Sequence, residues 1–132
     1  MFKSLLAKND NIKFRRIPDE EGDNASFVSI FLTSEEQAKQ LAAGLKEAGI
    51  PSAYWFDNNW HYIRGWEHFQ NAHQDEIFSK ELRETLPDYK NQDFSVSDEI
   101  MKKTISFPLS LKLTDEKIED MANTINRIIE SE

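Results

Sequence analysis

The 132-residue chain contains no cysteine, which excludes disulfide staples and thiolate metal sites and is compatible with a reducing compartment. Long apolar runs are also missing: nothing approaches the ~20 residues that a membrane-spanning helix requires, so no membrane association is expected. The opening residues 1–6 carry two leucines, but Lys8, Asn9 and Asp10 interrupt them before the apolar core of a signal peptide can form. That stretch reads as the end of a helix, and the expected compartment is the cytoplasm. Glycine is scarce, and none of the four frames a serine as a strained nucleophile turn does. A Gly-rich phosphate loop is absent for the same reason. Basic residues are outnumbered, sixteen against twenty-four acidic ones, and they are scattered rather than gathered into a stripe. Binding to a phosphate backbone by counterion release therefore has little to work with, and nucleic acid is not an expected partner. The net charge of −8 is read as a solubility feature. His61, His68 and His73 are spaced by seven and five, which places them on no single helical face, so no metal site is expected.

A hydrophobic fraction of 39% and a charged fraction of 30% fit one globular domain over residues 1–132. A domain of that size buries roughly two-thirds of the surface its unfolded chain exposes. Residues 12–17 alternate in apolar character and stop at Pro18, predicting a short strand. Residues 19–24 supply only turn chemistry, and residues 27–32 form a β-branched and aromatic run that predicts a central strand. Thr33-Ser34-Glu35-Glu36 matches a capping box and Gly49 a left-handed helix stop. Between them Ala38, Leu41, Ala42, Leu45 and Ala48 make one narrow apolar face. Residues 53–56 predict the next strand. After an aromatic loop, residues 74–85 predict a helix closed by Pro87, and residues 95–102 a short helix capped from Ser95. Residues 104–107 predict a fourth strand stopped by Pro108. A last helix opens at Thr114 with Asp115 and Glu116 in its first turn, and Ile118, Met121, Ala122, Ile125, Ile128 and Ile129 form its stripe. This order describes an α+β domain: a small, mostly antiparallel sheet with helices packed on one face. Its other face is left for something else to lie against.

The densest cluster of chemistry is residues 54–69, which holds all three tryptophans. Loops that combine Trp, Tyr, His, Arg and Asn suit ligands such as sugars, because flat rings give contact area while polar groups fix orientation. Tyr54, Trp55, Trp66 and Phe69 are assigned to core or interface, and Asn58, Asn59, Trp60, His61 and Arg64 to ligand contact.

The helix ending Leu45-Lys46-Glu47-Ala48-Gly49-Ile50-Pro51, the pair His61-Tyr62, the stretch from Ser97-Asp98-Glu99 through Ser106-Phe107-Pro108-Leu109, and Leu113-Thr114-Asp115-Glu116-Lys117-Ile118 occur in this order. Together they resemble the C-terminal small domain of DegT-type sugar aminotransferases, which depend on pyridoxal 5'-phosphate (PLP). The likeness covers nearly the whole chain from Lys13 onward. It implies a fold-type I transaminase that transfers an amino group from glutamate to a keto or aldehyde sugar and works as a homodimer. A PLP-binding large domain would hold the cofactor and its lysine, and this chain alone would bind no cofactor and be catalytically incomplete. None of its lysines, set among polar neighbours, looks suited to holding PLP covalently. The family's His-Tyr loop maps onto His61 and Tyr62, adding Tyr62 to the expected sugar contacts. Where the family usually has proline after His-Tyr, this chain has Ile63, so the resemblance implies either a nucleotide sugar or a sugar acid of the 3-deoxy-octulosonate type, the latter suiting the sequence Asn58-Asn59-Trp60-His61-Tyr62. The alternative is a free-standing, non-catalytic ligand-binding or protein-interaction module.

Overall fold

The computed structural model describes residues 1–58, 61–74 and 76–131. In chain order it contains α1 (Phe2–Leu6), β1 (Lys13–Phe14), β2 (Phe27–Phe31), α2 (Glu35–Glu47), β3 (Ala53–Tyr54), a 3-10 turn (Ile63–Gly65), α3 (Glu67–Gln70), α4 (Lys80–Thr85), α5 (Ser95–Met101), β4 (Thr104–Pro108) and α6 (Asp115–Glu130). The four strands form one sheet in the order β1-β2-β4-β3, with every neighbouring pair antiparallel. The two runs richest in β-branched and aromatic residues, β2 and β4, take the centre.

Their register sets the two faces. Val28 lies opposite Phe107 and Ile30 opposite Ile105, while Ser29 lies opposite Ser106. Because side chains alternate along a strand, the four apolar residues share one face and the two serines the other. The apolar face packs against Phe2 and Leu6 of α1, Ala38, Leu41 and Leu45 of α2, and Ala122, Ile125 and Ile129 of α6. The molecule is thus the α+β arrangement expected, with its helical layer on one side of the sheet.

The punctuation of α2 works, shifted by one residue from the expected box. The N-cap is Ser34, whose hydroxyl accepts from Gln37 N at 3.1 Å. Gln37 reaches back to accept from the N–H and hydroxyl of Thr33, at 3.3 and 2.9 Å. At the other end Gly49 adopts φ 69°, with Ile50 N donating to Leu45 O and Gly49 N to Lys46 O. That pair of bonds satisfies carbonyls the helix leaves open. Thr114 caps α6 through Lys117 N, and its expected stripe is the one that packs.

Three expectations need correction. The helix placed at residues 74–85 begins only at Lys80, where Ser79 caps it by accepting from Leu82 N. Ile77 and Leu82 are exposed, so no buried face extends the helix upstream. Ser95 lies inside α5 rather than capping it; Asp93 Oδ1 instead accepts from Ser95 N at 2.8 Å. The edge strands are shorter than the alternation predicts, although Trp55 N still donates to Thr104 O at 3.1 Å, continuing the pairing of β3. Among the described residues no helix is long and apolar enough to cross a membrane.

Candidate functional site

The sheet face turned away from the helices carries an open groove of about 600 Å3. Phe27, Pro51, Ala53, Trp55 and Pro108 form its largely apolar walls, Ser106 its floor, and His61 stands at its rim. The floor is a polar chain: Trp55 Nε1 donates to Ser106 Oγ at 2.6 Å, and Ser106 Oγ lies 2.6 Å from Ser29 Oγ. Both serines are buried, so the hydrogen bonds meet a need that packing alone would leave open. Arg15 places its guanidinium 4.9 Å from the centroid of the Phe27 ring, which puts a positive charge beside one wall.

The loop after β3 builds the rim. Asn58 N donates to Trp55 O, and Asn58 O accepts from His61 N and Tyr62 N, closing a tight turn. His61 is exposed; its ring centroid lies 5.4 Å from that of Trp55, and its Nδ1 is 3.3 Å from Asn58 Oδ1. Of the expected ligand residues, Asn58 and His61 therefore share the rim of the loop. Asn59 and Trp60 lie outside the described residues.

Tyr62 and Arg64 are turned elsewhere. Tyr62 is 4% exposed, and its hydroxyl donates to Asp98 Oδ1. Arg64 donates to the same carboxylate from Nε at 3.2 Å and from Nη2 at 2.9 Å, and stacks its guanidinium 4.9 Å from the Phe94 ring centroid. The Arg64 guanidinium, helped by the Tyr62 hydroxyl, holds the Asp98 carboxyl below its ordinary range against the opposing effect of burial. Burial, reinforced by the hydrogen bond to Asp98, pushes the Tyr62 phenol up to about 12. These two side chains tie the loop to α5.

Reading the residues as a string missed part of this arrangement. The sequence reading places Trp55 in core or interface, and the structure sets it half-buried along the groove; Ser106 and Asp98 are not among the residues the sequence marks for ligand contact. The alternation of small polar with apolar residues in Thr104-Ile105-Ser106-Phe107 marks a second sheet face and was the available signal for Ser106. Asp98 meets its partners across more than thirty residues of chain, and no local pattern encodes that.

The capacity for cofactors is limited. Among the described residues no group of three or more His, Asp or Glu side chains is placed to hold a metal ion. Every lysine is exposed or half-exposed, and the less exposed ones are paired: Lys3 with Asp23, Lys102 with Glu35 and Lys103 with Glu99. A covalently held PLP needs a desolvated, unpaired amine, so the residues of this chain do not fit that role. No family model matches the chain.

Proposed function

We propose that this chain is the C-terminal small domain of a cytoplasmic, homodimeric PLP-dependent aminotransferase that moves an amino group from glutamate to a keto or aldehyde sugar. The ordered sequence likeness supports the family, and the open, largely apolar groove on the sheet face away from the helices suits a domain that lies against a larger one. PLP, held by that larger domain, supplies the electron sink for amino transfer. The residues of this chain bind and orient the sugar. Trp55 and the apolar groove walls take a weakly polar ring face, and the His61 imidazole, with Asn58 beside it, hydrogen-bonds a hydroxyl.

The carrying observation is the exposed imidazole standing over a formed groove. Arg15 at the Phe27 wall favours an acidic sugar, because its charge has no acidic partner among the described residues. Titration of labelled protein with 3-deoxy-octulosonate, followed by NMR, tests the reading. Shifts centred on the Trp55 indole, His61 and Arg15 are expected, with weaker ones for a neutral hexose. Absence of any response at those three residues contradicts it.

A second reading keeps the groove but not the transamination: a non-catalytic binding module, consistent with lysines that are all exposed or half-exposed. Glutamate-dependent turnover in an assembly with a PLP-binding domain separates the two.

A further inference from the structure

We propose that Asp98 is the positioning residue of the groove: by gathering Tyr62 and Arg64 it clamps the loop that carries His61 and keeps the imidazole at the rim. The inference rests on the reading of the groove as a sugar site, but the clamp itself can be measured without any ligand.

His61 directly precedes Tyr62, so fixing Tyr62 fixes the origin of the imidazole to within one residue's reach, about 3.8 Å between Cα atoms. The loop has two anchors. On one side of His61, Trp55 is bonded to the sheet floor through Ser106. On the other, Tyr62 and Arg64 are bonded to Asp98. Between them, among the described residues, the side chain of His61 makes the long 3.3 Å contact with Asn58 and the tilted ring contact with Trp55, so its place depends on the anchors.

Asp98 is itself held by rigid structure. Thr104 Oγ1 donates to Ile100 O at 2.6 Å, tying α5 to the central strand β4. Lys102, at the end of α5, pairs with Glu35 of α2 at 3.4 Å and lies over the Phe56 ring at 5.3 Å. Phe56 in turn packs against Tyr62, with centroids 5.9 Å apart. The clamp is therefore grounded on both the sheet and the helical layer. With three donors already on its carboxylate, Asp98 acts through the loop and not as a ligand contact.

The test uses Asp98→Asn, which keeps the shape and an acceptor for Tyr62 but loses the charge that holds Arg64. In the ligand-free protein, the nuclear Overhauser contact between the His61 and Trp55 rings should disappear. Amide exchange at residues 61–64 should rise about ten-fold or more, while exchange in β2 and β4 is unchanged. Affinity for 3-deoxy-octulosonate should fall about ten-fold, because the imidazole hydrogen bond to the sugar loses its fixed position. His61→Ala should fall similarly, and the double variant should bind no worse than His61→Ala alone, because the two act through one side chain. A simple loss of stability would not produce that non-additivity. Should Asp98→Asn perturb the whole fold, Tyr62→Phe removes one clamp bond and must shift the same readouts in the same direction. An unchanged ring contact and unchanged exchange in a folded Asp98→Asn overturn the clamp. Full sugar affinity in Asp98→Asn, with loss in His61→Ala, overturns the positioning role. A wild-type protein that fails to bind the sugar acid overturns the positioning role together with the reading of the site, even if the ring contact shows that the clamp exists.

Discussion

The indole N–H of Trp55 and the hydroxyl of Ser106 meet at 2.6 Å across fifty-one residues of chain, joining the start of the aromatic loop to the central strand of the sheet. Replacing Ser106 with alanine leaves the indole without an acceptor and Ser29 without its partner. We expect a loss of about 1–3 kcal/mol, the cost of stranding a buried polar group. Urea denaturation measures it, and the midpoint of a Ser106→Ala protein matching that of the wild type would show that the polar floor contributes nothing.

The two ends of α2 give independent stability predictions. Ser34→Ala removes the acceptor for Gln37 N and should cost about 1 kcal/mol. Gly49→Ala should also destabilise, by about 1 kcal/mol, although a Cβ there would meet no neighbour within 4 Å. The cost comes from φ 69°, which an L side chain rarely adopts. A rise in melting temperature for Gly49→Ala would mean that the left-handed turn is not formed.

His61 and Arg64, adjacent on paper as candidate ligand residues, should separate in stability measurements. His61→Ala, at an exposed position, should change stability by less than about 0.5 kcal/mol. Arg64→Ala breaks a two-point contact to Asp98 and should cost about 1–2 kcal/mol, discounted because the guanidinium is partly open to water. Equal, negligible losses for both would argue that the ion pair is not populated in solution.

Acid sensitivity follows from the direction of the Asp98 shift. Its carboxyl is lowered in the folded protein, chiefly by Arg64, so its contribution to stability is fully present above the unfolded carboxylate range near ~3.9. That contribution is lost as the pH falls through the lower folded value. Asp88 and Asp93, lowered by hydrogen bonds from Asn91 and Ser95, act in the same direction and remain in the variant. Chemical denaturation between about pH 5 and pH 2 should thus show a shallower acid decline for Asp98→Asn than for the wild type. Parallel curves would contradict the pairing.

Much of the fold was legible because local signals agreed with burial. The Ser34 cap and the Gly49 stop bracket a helix whose apolar face meets the sheet, and the stripe of α6 is the one that packs. The segment around Ile77 was misread because its apolar residues meet no core, so helical spacing there had nothing to stabilise it. At the site, composition identified the loop but could not sort its members. Which polar side chains point outward, as His61 does, and which turn inward, as Tyr62 and Arg64 do, depends on Asp98, a residue that reaches the loop only once α5 has docked.

The proposed sugar-binding role is tested most directly by kcat/KM for glutamate-dependent amination of a keto sugar acid, in an assembly of this chain with the PLP-binding domain that the proposal calls for. His61→Ala should lower that value by about ten-fold or more, the loss of one positioned hydrogen bond, while the melting temperature stays close to that of the wild type. An unchanged kcat/KM in a folded His61→Ala enzyme would contradict the assignment of the groove and its rim to the substrate.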